Sequence, residues 1–249
     1  MGKAAQDWAD FQEPMHEPLW TAMLNAGKVG KGTRVCDVGC GGGGASMLAA
    51  DRRAVISGID AAETLVEIAR ERIPRGNFRV GDMQHLPFAD ASFDTVIAAN
   101  SLQYSEDRLD TLREFKRVCV QDGKIVIGLW GPAEKVSFRV FFKAVKEALP
   151  VPPPGKGPFE LSAPGALANL IEDTGMKVVG SDEVECPFAY SNFKELWQAN
   201  KSAGPLQAAI KQVSSSVLSR KIRSALSAFE KADGSILFEN TFQYVVAVP

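Results

Sequence analysis

The sequence predicts an α/β fold built on a doubly wound, mostly parallel sheet, and three observations carry that prediction. Short apolar runs of strand length alternate along the chain with stretches at helical spacing, the order that gives a parallel sheet covered by helices on both faces. The first run, residues 35–38, breaks at Gly39 and Gly41 to Gly44 and passes at once into helix-forming residues 45–50, the strand–turn–helix opening of ligand-binding sheets. Acidic residues, Asp37 and Asp60, stand at the C-terminal ends of the first two strands, on the rim where open sheets hold ligands.

Residues 4–27 precede the first strand. Trp8 and Phe11 are three apart, a helical spacing, and Pro18 opens a helix with Leu19, Trp20, Met23 and Leu24 on one side. A second buried strand covers 54–59 and ends at Asp60. The helix after it, 63–73, stops at Pro74 and Gly76. The third strand is short, 77–80. The fourth covers 93–99, a helix follows over 106–118, Asp122 and Gly123 form a turn, and 124–129 is the fifth strand. Next come an apolar helix over 136–149, a proline- and glycine-rich loop over 150–158, a helix over 165–174 and a sixth strand over 177–185. The stretch 187–233 reads as short helices, and 239–248 as the last strand.

Gly39 and Gly41 lack a Cβ, so the backbone can turn sharply and a ligand can approach it; Cys40 lies between them. The helix that follows aims free N–H groups at the same spot. Asp37, two residues before the first glycine, would repel a pyrophosphate but suits an ammonium group. Asp60 lies roughly twenty residues beyond the turn, where an acid reaches the ribose hydroxyls of an adenosine ligand.

The run Asp37-Val38-Gly39-Cys40-Gly41-Gly42-Gly43 resembles motif I of the class I S-adenosylmethionine-dependent methyltransferases. Gly81-Asp82-Met83-Gln84-His85-Leu86-Pro87-Phe88 is similar to that family's Gly-Asp-x-x-x-Leu-Pro-Phe segment, and Phe93-Asp94 follows it ahead of the fourth strand. The resemblance covers residues 33–130 and weakens after them. It implies a seven-stranded sheet of order 3-2-1-4-5-7-6 with the last strand antiparallel, and S-adenosylmethionine as cofactor. The implied cofactor residues are Asp37, Gly39, Cys40 and Gly41 at the glycine turn, Asp60 and Ala61 at the ribose, and Asn100 beyond the fourth strand. Asp82 would accept from the adenine amino group and Met83 would pack on the ring.

On this resemblance the chain, 1–249, is one methyltransferase domain. Its cofactor-binding core is 28–130, and 1–27, 131–164 and 187–235 are helical lid elements. The implied reaction is methyl transfer to a small-molecule acceptor, with oxygen favoured over carbon or nitrogen. In-line displacement needs positioning and exclusion of water rather than a protein nucleophile. A hydroxyl acceptor also needs a base. Trp8 and Phe11 on the N-terminal segment, Gln103 and Tyr104 beyond the fourth strand, and Trp130 after the fifth are the candidate acceptor-binding residues. His16, Tyr104 and Tyr190 are the candidates to accept a proton or orient a hydroxyl. Two other readings stay open: a non-catalytic S-adenosylmethionine-binding module, and an NAD-dependent oxidoreductase, against which Asp37 and the Gly81-Asp82 segment argue.

Composition narrows the partners. The net charge of −2 and the lack of a basic stripe argue against nucleic acid. No apolar run reaches membrane-spanning length, and the polar N-terminus lacks a signal pattern, so a cytoplasmic location is the expectation. The four cysteines form no Cys-x-x-Cys pair, and His16 and His85 are the two histidines, so no metal site is expected. The oligomeric state is left open.

Overall fold

The computed structural model describes residues 2–151, 157–201 and 204–249. The chain starts with a short helix α1 (Lys3–Asp7), a π-helical turn (Trp8–Gln12) and a 3-10 turn (Glu13–His16) that leads into α2 (Glu17–Ala26). Then follow β1 (Arg34–Val38), α3 (Gly44–Asp51), β2 (Val55–Asp60), α4 (Glu63–Arg72) and β3 (Asn77–Val80). Next are β4 (Phe93–Ala99), α5 (Arg108–Val118), β5 (Cys119–Trp130), α6 (Arg139–Ala148), α7 (Ala166–Glu172) and β6 (Lys177–Glu185). The C-terminal part holds β7 (Phe188–Tyr190), α8 (Phe193–Lys201), α9 (Gly204–Ile210), α10 (Ser215–Ala225), β8 (Ile236–Phe238) and β9 (Thr241–Val248).

Seven strands form one sheet in the order β3-β2-β1-β4-β5-β9-β6. β1 pairs in parallel with β2 and β4, and β9 is antiparallel to β5 and β6. Counted within the sheet alone, this is the order 3-2-1-4-5-7-6 with an antiparallel last strand. The strand order reverses at β1, so the crevice lies beyond the carboxyl ends of β1, β2 and β4.

Alternation along each strand builds two cores. Val35, Ile97, Val126 and Val246 face one side, with α2, α3 and α4 over them. Cys36, Val96, Ile125 and Val245 face the other, with α5 and α7. Consecutive strand residues point to opposite faces, and both faces are covered, so the central strands are mostly apolar. Among the described residues no helix is long and apolar enough to cross a membrane.

Three expectations need correction. Residues 188–190 are not helical: they form β7, which pairs antiparallel with β8 as a separate two-stranded sheet. Phe188 and Tyr190 are buried while Ala189 between them is exposed, the period of a strand. Asp122 and Gly123 do not form a turn ahead of the fifth strand. They lie inside β5, where the register shifts between the Phe93–Cys119 and Thr95–Lys124 pairs, so the glycine and aspartate are absorbed by a bulge. The last strand starts at Thr241; Asn240 before it forms an isolated antiparallel bridge with Val136, and its Oδ1 accepts the Phe138 N–H at 3.0 Å. The loop expected over 150–158 lies partly outside the described residues, which omit 152–156.

Candidate active site

The glycine turn crosses from β1 to the end of β2. The N–H groups of Gly39 and Cys40 donate to the Ile59 carbonyl at 2.8 and 3.0 Å. Gly39 has φ +76°, and a Cβ on it would collide with the Ser101 side chain, so the position requires glycine. Ser101 Oγ in turn donates to the Val38 carbonyl at 2.6 Å. Asp60 fixes the turn from β2: its two oxygens accept the N–H groups of Gly41 and Ala62, each at 2.9 Å. Asp37 lies beneath, 1% exposed, and accepts from Ser46 Oγ at 2.7 Å. Burial lifts its pKa from 3.8 to about 7, and the nearby Asp60 and Glu13 charges add to the rise against the pull of Ser46.

A cleft of about 810 Å³ opens over this turn, within the size range of small-molecule sites. Asp60, Ala61, Asp82 and Met83 line it on the β2–β3 side, and Trp8, Glu13, His16 and Trp20 line it from the N-terminal segment. Asn100, Ser101 and Tyr104 contribute from the loop after β4. Asn100 is held at φ +56°, its N–H donating to the Gly128 carbonyl at 2.7 Å and its Oδ1 accepting from Gln103 Nε2 at 2.6 Å. Asp82 accepts the Gln84 N–H at 2.9 Å, and its other oxygen is 3.7 Å from the exposed His85 ring.

Glu13 is a residue that the sequence did not mark. Its carboxylate accepts the Gly42 N–H at 2.6 Å and pairs with Arg72 at 2.7 Å. Arg72 also donates to the carbonyls of Gly42 and Ala9, at 2.9 and 3.0 Å. These bonds hold the N-terminal segment on the glycine turn. Burial raises the Glu13 pKa, while Gly42 and Arg72 oppose the rise. Trp20 also reaches the cleft, with its ring against Gly44.

The structure brings Trp8, His16, Tyr104 and all nine sequence-marked cofactor residues to this cleft. It places four other marked residues elsewhere. Trp130 is 3% exposed in the core, stacked on Phe242 at 4.3 Å between ring centres. Tyr190 is buried, its hydroxyl bonded to Gln12 at 3.1 Å and to Asn200 at 3.2 Å. Phe11 packs half-buried against the core. Gln103 stands behind Asn100 and does not line the cleft.

Residues 36–127 match the family model described as a methyltransferase domain. That stretch, little more than a third of the chain, is therefore similar to a methyltransferase domain. Methyltransferase GfsG of Streptomyces halstedii is 35% identical over 126 residues, which cover 48% of this chain and 44% of that protein. The 27-O-demethylrifamycin SV methyltransferase of Amycolatopsis mediterranei is 34% identical over 104 residues, covering 39% of this chain and 38% of its own length. The chain spans less than half the length of these curated relatives. Among solved structures, the YcgJ protein from Bacillus subtilis has a TM-score of 0.62 at 18% identity, covering 94% of this chain and 98% of its own. The cyclase SpnF has a TM-score of 0.60 at 20% identity, covering 92% and 80%. These two show the fold alone. Methyltransferases of this family and fold take their methyl group from S-adenosylmethionine.

Proposed function

We propose that the chain is an S-adenosylmethionine-dependent methyltransferase that acts on a small-molecule acceptor, with a hydroxyl oxygen as the favoured target. The observation that carries this reading is the charge of the cleft. Glu13, Asp37, Asp60 and Asp82 line it, and no lysine or arginine does so among the described residues. Such a lining favours a sulfonium and an ammonium group and disfavours the pyrophosphate of NAD. When bound, S-adenosylmethionine supplies the electrophilic methyl group. Asp60 is the residue for the ribose hydroxyls, since each of its oxygens keeps a lone pair after accepting a backbone N–H. Asp82 and Met83 would meet the adenine edge and face. The N-terminal segment, tied down by Glu13 and Arg72, would keep water from the reacting atoms. In this reading 1–27, 131–164 and 187–235 are the lid elements around the 28–130 core.

The name of the rifamycin relative places its methyl group on oxygen, which supports the preference for a hydroxyl. A structural neighbour named as a cyclase means that fold alone does not fix the reaction. Titration calorimetry with S-adenosylhomocysteine, with NAD as control, tests the proposal. Binding of the first and not the second is expected. Binding of NAD alone would overturn the cofactor and the enzyme class together.

A further inference from the structure

We propose that His16 is the proton acceptor of the reaction: its Nε2 hydrogen-bonds a neutral hydroxyl on an apolar, ring-bearing acceptor and takes the proton as the methyl group moves. This rests on the methyltransferase reading above and adds to it a substrate class and a base.

The ring's chemistry is set by its local contacts. His16 is 4% exposed and lines the cleft. Its Nδ1 lies 3.1 Å from the Gln12 carbonyl oxygen. A carbonyl only accepts, so Nδ1 carries the proton and the neutral ring presents a lone pair at Nε2. The Glu13 backbone also lies within hydrogen-bonding reach of the ring, and four aromatic rings pack around it. Trp8 and Trp20 flank it at 6.5 and 6.0 Å between ring centres, and Phe188 and Phe242 meet it edge-on at 5.2 and 5.3 Å. A single basic nitrogen is thus set into an apolar wall, a surface that suits a flat apolar body carrying one hydroxyl.

The charge of the cleft then requires a base. A phenolate or carboxylate would face Glu13, Asp37 and Asp60 with no lysine or arginine lining the cleft among the described residues to hold it. The acceptor oxygen must therefore arrive neutral and lose its proton during the transfer. Burial holds the His16 pKa down at about 4, so the ring is unprotonated throughout the neutral range. It is a weak base toward a resting hydroxyl. An oxygen forming its new bond to carbon, however, is a far stronger acid than an imidazolium, so the proton moves downhill at that point. In the balanced step the hydroxyl oxygen bonds the methyl carbon and the carbon–sulfur bond breaks with its electron pair left on sulfur. The O–H proton passes to Nε2 and later to solvent. Of the other two candidates, Tyr190 is off the cleft, and Tyr104 lines the cleft as a neutral phenol whose pKa is raised, a far weaker proton acceptor than a neutral imidazole.

The test uses the full chain loaded with S-adenosylhomocysteine and two probes, 2-naphthol and its ether 2-methoxynaphthalene. Wild type should bind the naphthol at least fivefold more tightly than the ether. His16→Phe should erase that preference. His16→Gln should keep part of it, since its amide oxygen still accepts a hydrogen bond. With S-adenosylmethionine, wild type should methylate the naphthol, and both variants should lose at least a hundredfold in rate, because neither side chain takes up a proton. Nitrogen NMR should find the proton on Nδ1 and a shift at Nε2 when the naphthol binds. Equal binding of the two probes, binding of neither, no methylation by wild type, unchanged preference in His16→Phe, or a proton on Nε2 would each overturn the inference. S-adenosylhomocysteine binding, measured first in every variant, separates the cases: its loss in wild type defeats the methyltransferase reading, whereas its retention confines any failure to His16.

Discussion

Asp37 shows what a buried carboxylate beside a glycine turn can sense. Unfolded, it ionises near 3.8; folded, it ionises near 7. A raised carboxyl value contributes stability that is complete below pH 3.8 and is lost as the pH climbs through 7. The three-unit displacement corresponds to about 4 kcal/mol. Asp37→Asn should therefore raise the melting temperature of the unliganded protein at pH 8 and change it little at pH 4, as differential scanning fluorimetry would read. A cationic cofactor reverses the preference, since it favours the ionised form. Its affinity should rise from pH 6 to pH 8 in wild type. In Asp37→Asn it should be flat and at least tenfold weaker, about 1.4 kcal/mol; a calorimetric titration showing equal pH slopes would contradict this. Asp37 and Asp60 were legible in the sequence because each stands at a strand end tied to the turn by its spacing. Glu13 was not, because the groups that define it, Gly42 and Arg72, are 29 and 59 residues away.

At the scale of elements, the N-terminal segment owes its position to contacts that local pattern does not encode. Ala5 and Ala9 pack on Ile68 of α4, and the Glu13–Arg72 pair closes the other side. Removing one member of a buried pair costs about 3–5 kcal/mol, because the other is left uncompensated. Arg72→Met should therefore destabilise strongly in urea at pH 8 and less at pH 5, where the already raised Glu13 can protonate. Adding Glu13→Gln should recover most of the loss, and a double variant no better than Arg72→Met alone would remove the pair from the account. The same limit on local pattern explains β7. Three residues followed by a helix carry little period of their own, and the partner strand lies beyond α8, α9 and α10. The parallel strands were legible because they are buried on both faces and so read as continuous apolar runs.

For the whole molecule, sequence placed the aromatics near the right strands but could not tell cleft from core. Trp8 and Trp130 looked alike as candidates. In the fold, Trp130 touches the rings of Phe138, Phe142, Phe159, Phe188 and Phe242. It joins the main sheet to the small β7–β8 sheet and to α6, whereas Trp8 faces the cleft over the glycine turn. Such a difference depends on which layer lies above each strand end, a property of the assembled layers rather than of either residue's neighbours in sequence. The two substitutions should therefore separate stability from binding. Trp130→Ala removes a fully packed ring and should cost about 3–5 kcal/mol. In a domain of this size that lowers the melting temperature by about 6–20 °C. S-adenosylhomocysteine affinity should stay close to wild type at a temperature where the variant is folded. Trp8→Ala should shift melting by only a few degrees and impair turnover more than folding, because its ring covers the cleft instead of filling a core. Melting curves and calorimetric titrations of the two variants side by side decide the matter. If Trp8→Ala melts as low as Trp130→Ala, the N-terminal segment is part of the core and not a cover, and the exclusion of water from the site must be sought in the helices between β6 and β9.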